Sequence, residues 1–154
     1  EKVLRRSDAP ATVLNVKYVQ LQKQLGQVGD NDLTDFLPRV GAYKTLMYFA
    51  SSSQPSLQSF SNYGTGSDSL INYLEIILNG RFKVTESYWN LLKQEDLAEF
   101  NVSPDAGYAL QAFMKDDTIN NMLYLGDTNA ITEVDVKANT SSTGWLTALA
   151  VQYL

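Results

Sequence analysis

The sequence contains no cysteine and no histidine among its 154 residues. The lack of cysteine excludes a disulfide framework, a thiol nucleophile and a cysteine-ligated zinc site. The lack of histidine removes the side chain most often used as a general base near neutral pH, and also a common metal ligand. Ser-His-Asp triads and histidine-ligated metal centres are therefore excluded, and we do not expect an enzyme.

Positive charge is also scarce. Twelve Lys and Arg residues face 17 Asp and Glu residues, which gives a formal net charge of -5. A nucleic-acid-binding surface needs a net basic face that displaces counterions from phosphates. The basic residues cluster only at Lys2, Arg5 and Arg6, in a segment that we interpret as a solvated linker. We therefore expect no direct contact with nucleic acid.

Long hydrophobic runs are missing too. The sequence has no stretch of 18 apolar residues and no signal-peptide pattern, so we expect neither a membrane-spanning segment nor an export signal. Hydrophobic residues nevertheless make up 44% of the chain, which is typical of a globular protein. We predict a linker over residues 1–11 and a single domain over residues 12–154.

Several segments alternate between apolar and polar residues, as strands do. The clearest is ITEVDVKA, in which Val134, Val136 and Ala138 are predicted to face the core. AYKTLMYFAS has no polar face and is predicted to be a strand buried on both sides. TVLNVKYVQLQKQL fits a long strand with a bulge or a crossover, and GQVGDNDLTD is interpreted as a polar loop. WLTALAVQYL is predicted to form a terminal hairpin with ITEVDVKA.

A helical segment interrupts these strands. Asn79-Gly80 is well suited to a type I′ turn, because both positions need positive φ. Thr85 is the predicted N-cap of the helix that follows, with Tyr88, Leu91 and Leu92 on its apolar stripe and Trp89 at the edge of that stripe. The helix either offers a surface to a neighbouring subunit or simply covers the core, and the residues alone leave both interpretations open.

The predicted fold class is therefore all-β with a short helical insertion, and specifically an antiparallel jelly-roll β-sandwich. Strands of irregular spacing with one helix fit this architecture better than a meander or an α/β fold.

Few residues qualify as a chemical site. The segment from Asp30 to Asp35 begins like a calcium loop, with Asp30 and Asp32 as candidate ligands, but it lacks the glycine and the final carboxylate of that motif. Asp116, Asp117 and Asp127 are better explained as turn residues than as an acid/base pair. Trp145 and Tyr153 are assigned to the core instead of a sugar-binding platform. We predict no catalytic, cofactor-binding or metal-binding residue.

The order of these segments resembles a known family. FLPR-x-G, a buried strand, LEIILNGR, the helix ESYWNLLKQ, GYALQAFMKD, ITEVDVKA and WLTALAVQYL follow one another as in the second jelly roll of the major capsid proteins of membrane-containing icosahedral phages. This corticovirus type belongs to the adenovirus and tectivirus double jelly-roll lineage. The resemblance covers about residues 12–154 and rests on the order of elements and on short phrases.

The resemblance implies a structural capsid protein of the virion, assembled in the host cytoplasm. In that family two upright barrels are joined in tandem, and three copies make a pseudo-hexagonal capsomer. The implied partners are copies of the chain, other capsid proteins and an underlying viral membrane, with no small-molecule substrate. The chain carries one barrel, so it is either half of a double-barrel protein or a single-barrel relative. The alternative function is a carbohydrate- or receptor-binding jelly roll of a phage tail, using Tyr63 or Trp89.

Overall fold

The computed structural model describes residues 16–39, 41–56, 65–113, 122–126 and 129–153. The predicted linker over residues 1–11 lies outside these ranges. Within them the chain forms nine strands and one helix. In chain order these are β1 (Val16–Leu25), β2 (Gly29–Thr34), β3 (Ala42–Ser51), β4 (Ile71–Leu78), β5 (Phe82–Tyr88), α1 (Trp89–Phe100), β6 (Tyr108–Ala112), β7 (Leu123–Tyr124), β8 (Val134–Thr140) and β9 (Gly144–Tyr153).

The strands form two antiparallel sheets that pack face to face. The first sheet has the order β1-β9-β3-β6, with β7 added to β3, and the second has the order β2-β8-β4-β5. Apart from β4 and β5, neighbours within a sheet come from distant parts of the chain, which is the strand interleaving of a jelly roll. The predicted antiparallel jelly-roll sandwich with one short helix is thereby confirmed.

The core lies between the two sheets and follows the period-two pattern of the sequence. Val134, Val136 and Ala138 on β8 are completely buried, as predicted, while the residues between them are partly exposed. Leu46 and Tyr48 on β3 face them from the first sheet and are also buried. Alternate residues of a strand point to opposite faces, so each sheet contributes one apolar face to the core.

The predicted terminal hairpin of β8 and β9 is wrong. Strand β8 pairs with β2 and β4, whereas β9 pairs with β1 and β3. The connection over residues 141–143 therefore crosses from one sheet to the other, and Ser141 donates its backbone N–H to the Leu70 carbonyl on the way. A short polar connection between two strands has the same sequence pattern whether or not the strands pair with each other.

Two further local predictions need correction. Residues 29–34, interpreted as a loop, form β2 and pair with β8, with Asn31 and Leu33 buried on one face. The Asn31 amide donates to the Gln27 and Gly29 carbonyls and to Thr140 Oγ1, which explains how a polar side chain is accommodated there. Strand β1 contains no bulge, because its register with β9 runs unbroken along the strand.

The hairpin of β4 and β5 turns at Asn79-Gly80, as predicted. Both residues have positive φ, at 53° and 64°. The Asn79 side chain also ties the turn to the segment before β8. Its Nδ2 donates to the Ala130 carbonyl at 2.7 Å, and its Oδ1 accepts from the Thr132 backbone N–H at 2.8 Å. The hairpin tip is therefore held against the rest of the barrel.

The helix begins later than the sequence predicted. Thr85 is not its N-cap, because β5 continues to Tyr88 and α1 starts at Trp89. Residues Thr85 and Glu86 pair with Ile76 and Glu75 of β4, and this ladder keeps them extended. Helix α1 ends where Asn101 adopts the left-handed conformation and its N–H reaches the Leu97 carbonyl, a common way of ending a helix.

Candidate interaction surface

Helix α1 covers the edge of the first sheet at β6. An edge strand presents unpaired backbone groups, which other chains can pair with unless they are covered. Asp96 on α1 is buried, and its Oδ2 accepts the Leu110 backbone N–H at 2.9 Å. The helix therefore satisfies an edge donor of β6 with a side chain and blocks strand addition at that edge.

The helix is anchored by two side chains. Trp89 and Leu92 are buried, whereas Tyr88 and Leu91 are about half exposed. The predicted stripe of Tyr88, Leu91 and Leu92 is therefore wrong, since Tyr88 belongs to β5 and the Leu91 side chain is exposed. The burial of Trp89 also removes it as a surface residue on which a sugar could stack.

Asp68 joins the helix to the start of β6. Its carboxylate accepts hydrogen bonds from Trp89 Nε1 at 3.1 Å, from the Gly107 backbone N–H at 2.9 Å and from Lys93 Nζ at 2.7 Å. Burial raises the pKa of this carboxyl, but the bonds from Lys93, Gly107 and Trp89 outweigh burial and leave the pKa below its usual value. The charged form of Asp68 therefore stabilises the folded protein.

Replacing Asp68 by asparagine should lower stability at neutral pH by about 1 kcal/mol, because the charge-assisted bonds are lost at a partly exposed site. The folded pKa lies below the unfolded one, so the Asp68 contribution is present above the unfolded pKa and is lost as the pH falls through the folded pKa. Thermal melts from pH 7 down to pH 2 should show the two curves converging. Asp105→Asn is the control, and a difference that does not change with pH would contradict this role.

The outward side of the first sheet carries apolar residues on β9, β3 and β6, beside Gln20, Gln22 and Gln24 of β1. We call this the outer face. Leu149, Met47 and Leu110 lie side by side across β9, β3 and β6, according to the strand register. Phe49 and Tyr108 lie next to them, with ring centroids 4.5 Å apart. Met47 is exposed, Leu149, Leu110 and Tyr108 are partly buried, and Phe49 is buried, so this group is a candidate for contact with another molecule.

Trp145 and Tyr153 also lie on the outer face. Their register partners on β1 are Gln24 and Val16, and both aromatic residues are only partly buried. The prediction that they belong to the core is wrong. Strand β9 carries apolar residues on both faces, so alternation alone does not tell which face is inward.

A cavity of about 390 Å³ opens between the C-terminal end of α1 and the outer face. We call it the helix-end cavity. Its wall is mostly apolar. The residues that shape it are Met47, Phe100, Val102, Pro104, Tyr108 and Leu110, together with Asp96 and Asp105. A cavity of this size and character accommodates an apolar group.

The two calcium candidates lie on β2 and have other partners. Asp30 Oδ1 accepts from Asn139 Nδ2 at 2.6 Å, and this bond lowers the pKa of Asp30. Asp32 lies 3.9 Å from Lys137 Nζ. Within the described ranges no three acidic side chains are grouped closely enough to hold a metal ion.

Other sequence candidates cannot be placed. Asp116, Asp117, Asp127 and Tyr63 lie outside the described residues. In the part of the chain that is described, no helix is both long and apolar enough to cross a bilayer.

Comparison with known proteins identifies the fold. No protein-family model and no curated protein matches the sequence. Solved structures do match, at low identity. The major capsid protein of Sulfolobus Turreted Icosahedral Virus superimposes with a TM-score of 0.71 at 17% identity, over 92% of this chain and 42% of that one.

Two further capsid proteins match in the same way. That of bacteriophage PM2 gives a TM-score of 0.63 at 14% identity, over 96% of this chain and 48% of its own. That of the PBCV-1 virus capsid gives 0.61 at 11% identity, over 92% and 48%. The chain thus spans less than half the length of each protein. Its fold is that of one barrel of the double jelly-roll major capsid proteins.

Proposed function

We propose that this chain is a barrel of a viral major capsid protein and works as a structural part of an icosahedral shell. The observation that carries the proposal is the match over 92% to 96% of the chain with capsid proteins of three viruses. The apolar outer face supports it, because a tiled barrel needs surfaces that become buried only on assembly.

The details of assembly are inferred from the double jelly-roll capsid proteins that the sequence resembles. The barrel would build trimeric, pseudo-hexagonal capsomers from copies of itself and other capsid proteins, above an internal membrane, in virions assembled in the host cytoplasm. Residues 1–11 would link it to another barrel, and residues 12–154 would form the jelly roll. Because the chain spans less than half of its structural relatives, the second half of a double-barrel protein is the favoured arrangement over a single-barrel relative.

Surface charge fits a shell component that does not bind the genome directly. The net charge of -5 opposes close contact with phosphates. The absence of histidine and cysteine from the sequence agrees with a role in contacts between subunits instead of catalysis.

The proposal is tested by the association state of the chain. Sedimentation velocity over a range of concentrations, followed by negative-stain electron microscopy, should show trimers or six-barrel rings. The same measurements are then made after co-expression with the companion barrel. A folded chain that stays monomeric at high concentration under both conditions would refute the capsid role.

A further inference from the structure

The outer face carries no charged residue along its paired strands. Every second residue points outward on β1 from Val16 to Gln24, on β9 from Trp145 to Tyr153, on β3 from Thr45 to Ser51 and on β6 from Tyr108 to Ala112. None of these outward residues is charged. The two lysines of β1 alternate with this set and lie on the other side of the strand, and Lys44 lies at the bulge of β3, outside the register.

The outward side of the second sheet has the opposite character. Its register places seven charged side chains there, which are Asp30, Asp32, Glu75, Lys83, Glu86, Asp135 and Lys137. The solvated side of an antiparallel sheet normally carries polar and charged residues, and the second sheet follows this rule. The centre of a protein interface is instead depleted of charge and enriched in aromatic residues and Met. The outer face of the first sheet has the composition of such a centre.

Much of this side is open to solvent. Half of the twelve exposed large hydrophobic side chains in the described ranges lie here, namely Val16, Tyr18 and Met47 on the outer face, Tyr124 on β7, and Phe100 and Val102 at the helix-end cavity. One end of the face is partly covered, because Gln22 Nε2 donates to the Pro55 carbonyl at 3.2 Å and Gly66 lies against the Phe49 ring. The free part therefore extends from Val16 across Met47 to the helix-end cavity.

The free part is large enough for a dimer contact. Four strands with α1 beside β6 are roughly 30 Å wide, and six residues of strand are roughly 20 Å long, which gives roughly 600 Å² per copy. A specific interface of standard size begins at about 600 Å² per partner. The area alone therefore suffices for two copies to associate through this surface.

We propose that the free part of the outer face packs against the same surface of a second copy, so that two barrels associate face to face about a two-fold axis. The charge pattern selects this partner. The outward side of the second sheet would bring in Asp32, which lies 3.9 Å from Lys137, and charges buried without close partners oppose association. A second outer face brings in no such charge, and a two-fold contact uses the same patch on both copies. The inference goes beyond the proposed function, which names no contact face.

The first experiment places a charge in the contact. Sedimentation velocity over a range of concentrations compares the parent chain with Met47→Lys, Tyr18→Lys and the control Val84→Lys. Met47 and Val84 are exposed to almost the same extent, at 38% and 39%, but Val84 lies on β5 of the second sheet. All three positions are exposed, so melting temperatures should stay close to that of the parent. We expect the parent to form dimers, the two outer-face variants to dissociate at least about tenfold more readily, and Val84→Lys to associate like the parent.

Cross-linking tests the symmetry of the contact. Because the sequence has no cysteine, Met47→Cys and Val84→Cys each carry a single thiol. Met47 lies near the middle of the free part, so in a two-fold contact it meets its own copy. Packed sheets are about 10 Å apart, and a bismaleimide of about that span should join Met47→Cys chains into covalent dimers and leave Val84→Cys chains single. Dimers that form without this cross-link would show a contact between unlike surfaces and would overturn the proposal.

The remaining outcomes separate this contact from the capsid role. A parent chain that is monomeric alone, a Met47→Lys chain that associates like the parent, or equal weakening by Val84→Lys would each overturn the face-to-face contact. If the Met47→Cys thiol is shielded from maleimide only when the companion barrel is present, that barrel occupies the face, and the proposal is overturned as well. None of these results refutes the capsid role, which fails only if the chain also stays monomeric with the companion barrel.

Discussion

Val136→Asp should abolish the cooperative fold. Val136 is completely buried in the middle of β8, between its register partners Leu33 on β2 and Ile76 on β4. Both partners are buried and apolar, so the new carboxylate would have no counter-charge beside it. An unpaired buried carboxylate costs several kcal/mol, against a total stability of about 5 to 15 kcal/mol. Soluble yield, far-UV circular dichroism and the thermal transition should all be lost or severely reduced.

Val84→Asp is the matched control for this substitution. Val84 lies on β5 and its side chain is exposed, so the same chemical change should alter stability by no more than about 0.5 kcal/mol. If both variants lost the same stability, the loss would come from placing aspartate in a strand and not from burying its charge. A normal melt for Val136→Asp would show that β8 does not face the core.

Gly107→Ala is expected to have the second largest effect. Gly107 has a φ of +83°, and a Cβ atom there would lie 2.6 Å from the Ala50 carbonyl oxygen and 2.7 Å from the Ser67 nitrogen. Both are backbone atoms, so no side chain can move aside. Its own backbone is also in use, because its N–H donates to Asp68 and its carbonyl accepts from Ala50. We expect a loss of about 3 kcal/mol or more, since strain and lost hydrogen bonds act together.

Gly26→Ala provides the comparison. Nothing lies within 4 Å of a Cβ at Gly26, so this variant should melt within about 2 °C of the parent chain. For a domain of this size, 3 kcal/mol at Gly107 corresponds to roughly 6 to 12 °C. A Gly107→Ala protein that melts with the control would show that the segment over residues 65–68 and the start of β6 are not in close contact.

Prediction from the sequence succeeded where local pattern and tertiary environment agree. The bounds of β3, Ala42–Ser51, match the predicted apolar run, but the strand is not buried on both sides, because Met47 on its outward side is exposed. The buried residues of β8, Val134, Val136 and Ala138, follow from the strict alternation of apolar and polar residues along the strand. The turn at Asn79-Gly80 follows from the positive φ that both positions require.

Prediction failed where distant partners decided the conformation. Thr85 and Glu86 have good helix-start character, yet pairing with β4 keeps them extended. The letters GDNDLT suggest a loop, yet β8 provides a strand partner for them. Trp145 is apolar enough for the core, but side chains alternate along β9, and its position in that alternation places it on the outer face. Each of these outcomes depends on strand pairing across the molecule, which no local window contains.

The candidate site was only partly accessible from sequence. The helix was predicted as a possible contact element, but Asp68 and Asp96 were not singled out. Asp68 is 21 residues before Trp89 in the chain, and no spacing rule links the two. The helix-end cavity likewise forms from segments that meet only when α1 lies beside β6.

The pairing of β1 with β9 has a consequence for biosynthesis. Their partnered residues include Val16 with Tyr153, so this ladder joins positions near the two ends of the described chain. A polypeptide emerging from the ribosome cannot complete this sheet until its last strand is available, and such long-range closure is slow. The outer face, which lies largely on β9 and β3, would then be absent until β9 has been synthesised and paired.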